Sequence, residues 1–426
     1  MMSRILTLAL VLSCGANAFA KEPGGFAEWR FSLMPGVDGD DWQFIERLRP
    51  SFDVAIGERM ALVATIEAAL SQGRDLSREF RRTIEESDLG PFLELADCTW
   101  PERRNQALGI DGAADYLDVD RLYLDIYGAW ADIRIGRQSI NWGSAQFLNP
   151  TDPFPEVLFA EPWRPRRGVN ALRANIPIGA MNDLTAVVAT DDIFKQTRAA
   201  LRLRINWLQT DWAMVGAWRS DNKSGLLGID LRGTLGVGWW FEGAVTFADG
   251  ERNAALTAGI DYSFPVLERL MLSLQYHRNQ NGATHPDDYA QQGGLTGVAL
   301  PSCDAIPAEM LPAAGDVDPF APFTRARDYL MLGGTIAVDE DLSGSLFWMQ
   351  NLNDGSAMAV PSVNFLAHDR LEFALTVQLP LALWGDGGEF KPRAQDLYLD
   401  TPLGIGADLA GLVPDATVVF WTRLSY

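Results

Sequence analysis

From Phe26 to Tyr426 apolar and polar residues alternate in a ladder of short segments, and every long gap in that ladder follows an odd-numbered segment. Successive strand side chains point to opposite faces, so each segment carries one apolar and one polar wall. In one segment Leu256, Ala258, Ile260, Tyr262 and Phe264 share a face, with Thr257, Asp261 and Ser263 on the other. In the next, Leu270, Leu272, Leu274 and Tyr276 alternate with Ser273, Gln275 and His277. Lipid cannot satisfy an open sheet edge, so strands that cross a membrane must close into a barrel. A secreted β-sandwich also alternates, but its strands run about five or six residues and many segments here reach ten or more.

The ladder predicts an all-β transmembrane antiparallel barrel of 18 strands, with 16 as the alternative count. The first predicted strand covers 26–34, the fifth 130–142 and the last 415–426. Long connections at 71–115, 143–167, 281–325 and 385–414 follow strands three, five, thirteen and seventeen, so all four emerge on one side. Connections after even strands are tight, as at Gly128-Ala129 and Gly236-Val237. Short periplasmic turns with long external loops are the bacterial outer-membrane arrangement. Residues 1–20 read as a secretory signal peptide: Arg4, an apolar stretch from Ile5 to Leu12, and Ala18-Phe19-Ala20 before the cleavage point. A lipoprotein acylated at Cys14 is the alternative; residues 21–426 then form the barrel. Beyond the signal there is no run of about 18 apolar residues that could span as a helix. Mean hydropathy is −0.03 and net charge −21, and such acidity argues against nucleic acid as a partner.

Amphipathic rings favour the two headgroup levels. Trp130, Trp207, Trp212, Trp239 and Trp240 are expected at the periplasmic girdle, and Trp142, Trp218, Trp348 and Trp384 at the outer one. The last strand ends on the aromatic Tyr426. It resembles the terminal strand of bacterial outer-membrane barrels, which implies recognition by the barrel-assembly machinery during insertion. Lipid and lipopolysaccharide of the outer membrane are the other expected partners, and a homo-oligomer is expected by analogy alone.

The polar phase reads as a lumen wall holding Arg30, Arg47, Arg49, Arg121, Arg134, Arg173, Arg198, Arg202, Arg204 and Arg232. Rings of arginine bias a pore toward anions. The same phase holds Glu28, Asp53, Glu67, Asp125, Asp132, Asp230, Asp261 and Glu372, so cross-strand pairing could equally use the arginines to stiffen the wall. Arg198, Arg202 and Arg204, on a strand without a lumen-facing acid, are the best candidates for an anion track.

Strand five and the loop after it carry Gly136, Arg137, Gln138, Asn141, Trp142 and Gly143, then Asn149 and Pro150. This pattern resembles a group of porin-like proteobacterial outer-membrane barrels of largely unknown function. The resemblance implies an envelope channel without a settled substrate, and Ser144 stands where the group carries an acid. The alternation in strand five changes phase near Gly136, where a bulge would re-aim Arg137 or Gln138. The following loop, with Pro153, Pro155, Pro162, Pro165 and the basic Arg164, Arg166 and Arg167, is expected to be stiff and to fold into the mouth as a constriction. An external cap, or a loop ordering lipopolysaccharide phosphates, is the alternative.

Cys98 and Cys303 fall in the two longest external loops, and an oxidising compartment lets them form a disulfide. The three histidines are scattered and C-x-x-C is missing, so the sequence predicts neither metal nor cofactor. His285 beside Asp287 and Asp288 is the one acid/base grouping in a loop, without any motif of hydrolases around it. The sequence thus points to a non-enzymatic channel for small, anionic solutes. Two alternatives stay open: a structural conduit around a periplasmic electron-transfer or export partner, and a barrel enzyme.

Overall fold

Side chains that alternate along each strand need a surface with two different sides, and here the two sides are the inside and outside of a closed ring. The computed structural model describes residues 22–39, 41–88, 90–91, 94, 116–154, 166–190, 196–220, 223–248, 250–292, 324–400 and 406–426. The expected signal peptide with Cys14, the residues Cys98, Cys303 and Arg164, and parts of the long loops lie outside them.

The strands are β1 (Glu22–Leu33), β2 (Trp42–Ile56), β3 (Met60–Gly73), β4 (Tyr116–Tyr127), β5 (Asp132–Gln138), β6 (Val169–Ile178), β7 (Asn182–Thr190), β8 (Thr197–Trp207) and β9 (Thr210–Arg219). They continue as β10 (Gly225–Leu235), β11 (Val237–Ala248), β12 (Glu251–Phe264), β13 (Arg269–Asn279), β14 (Asp328–Ala337), β15 (Leu342–Asn351), β16 (Ser356–His368) and β17 (Leu371–Ala382). A small external hairpin, β18 (Tyr398–Asp400) and β19 (Gly406–Asp408), precedes the last strand, β20 (Thr417–Ser425). Apart from that hairpin, each strand pairs antiparallel with its sequence neighbours in one 18-stranded sheet. β20 pairs with both β17 and β1, which closes the ring and leaves no edge.

The outward face is a belt of exposed Leu62, Leu122, Leu172, Leu201, Ile229, Leu274, Val363, Leu375 and Phe420. An apolar belt of this kind needs lipid, not water, around it. Among the described residues no helix is long and apolar enough to cross a membrane. An α-helix, α1 (Leu76–Glu86), lies in the external loop after β3. Buried Arg74 at its start donates to Glu79 at 2.9 Å and to the Leu412 carbonyl at 2.6 Å, tying two external loops together.

Three expectations are corrected. β5 stops at Gln138 rather than 142, because the chain leaves the sheet at the phase change and turns inward. No bulge occurs at Gly136, through which the register with β4 and β6 is continuous. The bulge is on β4 instead, where Asp120 and Arg121 both turn inward between the outward Val119 and Leu122. Two tryptophans leave the girdles: Trp142 packs inside against Phe154 with ring centroids 6.5 Å apart, and Trp240 is buried on the inner wall.

Candidate functional site

The inner wall of β6–β15 is occupied by the segment from Ser139 to Phe154. Its apolar side chains Ile140, Trp142 and Phe154 pack on the small inward residues Ala171, Val187, Ala189, Ala200, Val215 and Ala244 of the strands beneath. Further along, Leu148 and Phe147 pack against Tyr329, Met331, Met349 and Phe347 of β14 and β15. Phe147 rests over Gly333, where a Cβ would come within 2.8 Å of the ring, so a larger residue would lift the loop.

A segment that leaves its sheet must satisfy its backbone amides elsewhere. Inward side chains do this here. Glu242 of β11 accepts from the Ala145 N–H at 2.6 Å, the Thr151 hydroxyl at 2.7 Å and the Thr151 N–H at 3.3 Å. Gly143 passes so close that a Cβ would lie 2.7 Å from a Glu242 carboxylate oxygen. Gln275 of β13 accepts from the Gln146 N–H at 3.0 Å and donates to the Leu148 carbonyl at 3.3 Å. The Thr257 hydroxyl of β12 donates to the same carbonyl at 3.1 Å. Asp152 accepts from the Phe154 N–H at 3.0 Å and from Arg166 at 2.5 Å. Burial pushes the Asp152 carboxyl up, against the opposing pull of Arg166.

The motif residues build this loop. Gln138 is fully buried and donates to the Ala171 carbonyl at 3.0 Å, Arg137 pairs with Asp118 at 3.3 Å, and Asn149 donates to the Trp142 carbonyl at 3.3 Å. Gly136 is the inward, side-chain-free position before the turn, Pro150 is buried and Asn141 is exposed. The inward segment therefore begins before the prolines that signalled it, and Arg166 acts as its clasp; Arg167 lies beside it at the loop's return.

β2 and β11 lie nine strands apart in a ring of 18, so opposite Glu242 stands the arginine-rich arc. All ten arginines read from the polar phase face inward. Charges alternate around the arc: Arg423 pairs with Glu28 at 2.7 Å, Glu28 with Arg47 at 2.8 Å and Arg47 with Glu67 at 3.4 Å. Glu67 then pairs with Arg49 at 3.3 Å, Arg49 with Asp120 at 2.5 Å and Asp120 with Arg121 at 3.3 Å. Arg134 grips Asp125 at 2.6 Å and stacks 4.1 Å from the Tyr123 ring, with Arg173 beside it on β6. Phe26 lies under the Arg423 guanidinium at 4.6 Å.

The expected anion track is corrected in one respect. Although β8 itself brings no inward acid, strands near it do: Arg204 pairs with Asp183 of neighbouring β7 at 2.6 Å, and Arg202 reaches past β9 to lie 3.8 Å from Asp230 of β10. Arg198 faces Arg219 in register, and Arg232 pairs with Asp261 at 3.6 Å while donating to the Ser144 carbonyl at 3.1 Å. Sequence reasoning missed Glu242, Gln275 and Thr257 as loop anchors and Arg423 as a member of the arc. Each stood in the inward phase, but only the fold shows what reaches it.

No family model matches the chain, and no curated protein matches it. Among solved structures it is similar to Pseudomonas aeruginosa OccK5 (OpdH), with a TM-score of 0.53, 8% identity, and 96% of this chain and 98% of that chain covered. Similar too are Pseudomonas aeruginosa OccK11 (OpdR), at TM-score 0.51 and 9% identity over 96% of each chain, and the outer membrane protein opdK of the same organism, at 0.51 and 8% over 96% of this chain and 100% of that one. At such identity the likeness is one of architecture: the chain has the fold of an outer-membrane β-barrel.

Proposed function

We propose that this barrel is a diffusion channel whose bore is set between the wall-anchored segment 139–154 and the charged arc of β20 and β1–β4, and that it favours small anionic solutes. The observation that carries the reading is the inward segment held on one wall by inward side chains, directly across from a row of guanidinium groups. In the arc, Arg30, Arg47, Arg49, Arg121 and Arg423 alternate with Glu28, Glu67 and Asp120, while Asp53 and Asp125 share the polar phase of β2 and β4 and Glu372 of neighbouring β17 faces Arg423 in register. A low-dielectric wall focuses the field of these clustered guanidinium groups into the lumen.

Reconstitution into planar bilayers, with the reversal potential read in a salt gradient, tests this. The expected result is an open, anion-selective pore whose preference falls in Arg49→Gln and Arg423→Gln while Arg204→Gln, paired outside the arc, changes it less. A folded barrel that does not conduct would overturn the channel reading; a conducting, cation-selective pore would overturn only the anionic one.

A further inference from the structure

We infer that the five consecutive periplasmic turns from β4–β5 to β12–β13 form a lipid-binding edge, sunk in the inner leaflet so that the barrel stands tilted in the membrane. Their tips carry Trp130, Met181, Leu208, Leu235 and Leu267, which are between 62% and 85% exposed. The other turns are different: β2–β3 exposes Glu58 and Arg59, β14–β15 exposes Asp339, Glu340 and Asp341, and β16–β17 exposes Asp369 and Arg370. One half of the rim thus has apolar tips, with Asp132, Glu268 and Arg269 exposed beside them, and the other has charged tips.

Leu208 and Leu267 sit at φ 52° and 53°, in the left-handed region that glycine and asparagine adopt with least strain. A leucine there is unfavourable for the backbone and for exposure to water, so neither the turn nor aqueous surroundings account for it. Contact with an apolar phase does. The turns are too tight to project far, and four of the five tips run directly into outward positions of the lipid-facing wall: Ile178, Trp207 and Trp212, Val237, and Phe264. That continuity favours lipid over a periplasmic protein as the occupant.

The opposite end of the barrel shows the complementary asymmetry. On β12–β14, Arg252, Arg278 and Asp328 take the outward positions at the external strand ends, Arg278 pairing with Asp328 at 3.0 Å. Nine strands from β8 and β10, in the middle of the apolar turns, exposed Leu383 and Trp384 at the top of β17 and Leu33 at the top of β1 carry apolar surface to the external end. The apolar face thus reaches the external strand ends opposite the apolar turns but not at β12–β14, and a tilted barrel raises its belt on that opposite side.

Nitroxide labels placed by Leu208→Cys, Leu235→Cys or Glu340→Cys, each in a Cys98→Ser/Cys303→Ser background, measure this in vesicles of phosphatidylethanolamine and phosphatidylglycerol. Labels at 208 and 235 are expected to collide with oxygen and be shielded from a water-soluble nickel complex; the label at 340 should be open to nickel. Equal nickel accessibility at all three positions would overturn the proposal and leave the patch facing the periplasm as a protein-docking surface. Asparagine suits the left-handed turn, so Leu208→Asn/Leu267→Asn should fold at least as well and move the label at 235 toward water. An unchanged depth in that variant would show that the turn tips do not anchor the edge.

Discussion

A single inward carboxylate, Glu242, holds both ends of the tightest part of the loop: the Ala145 amide on one side and the amide and hydroxyl of Thr151 on the other. Hydrogen bonds to a charged group contribute about 1.5–3 kcal/mol each, so Glu242→Ala should loosen the segment without opening the ring. The expected outcome is a larger and noisier single-channel conductance with an unchanged heat-modifiable gel band; the wild-type conductance would show that the loop does not set the bore. The alternation in β11 marks Glu242 as inward, and that much is legible in the sequence. Its role is not, because its partner Thr151 is 91 residues away in the chain. Trp142 shows the converse. As a residue it stands out at once, yet the girdle expectation gives it an outward place in a strand that ends at Gln138, four residues before it.

Whole elements were far more legible. Each barrel strand needs only its own alternation and a turn at each end, and the 18 segments reappear in order because sequence neighbours are also ring neighbours. What period two could not show is where backbone leaves the sheet and is satisfied by side chains: the inward segment, α1, the β18–β19 hairpin and the packed external loops over β13–β16. In those loops Asn351 donates to Asp354 at 2.8 Å and to Glu389 at 3.0 Å, while Tyr289 and Tyr329 donate to the same two carboxylates at 2.7 and 2.5 Å. Burial pushes the Glu389 carboxyl up from 4.5 to about 7, despite the opposing bonds from Tyr329 and the Arg325 amide. The folded loop therefore binds a proton more tightly than the unfolded one. Its stability contribution is full below pH 4.5 and is lost as pH rises through 7. Hydrogen exchange of the 385–391 peptide, corrected for the intrinsic rate, should show protection falling across that window, and Glu389→Gln should flatten the dependence.

At the scale of the molecule, a barrel has to hold its first strand to its last, and this one does so with charge inside the seam. Glu28 on β1 is buried and binds Arg47 on β2 with one oxygen and Arg423 on β20 with the other, so one carboxylate bridges both neighbours of the strand that closes the ring. The eight main-chain partners across β1–β20 fix register there, but they are fewer than the twelve across β1–β2. The seam therefore depends more on side chains than the joint beside it. Removing one partner of a buried ion pair costs about 3–5 kcal/mol because the remaining charge stays buried. Glu28→Gln leaves two guanidinium groups without their shared carboxylate, so the folded band in a heat-modifiability series should disappear at a lower temperature than in the wild type. Glu372→Gln, whose carboxylate faces Arg423 in register without an ion pair among the described residues, should shift it less. Equal shifts in the two variants would mean that the arc acts as a diffuse field rather than as a clasp, and closure would then rest on the main-chain ladder and the lipid belt alone.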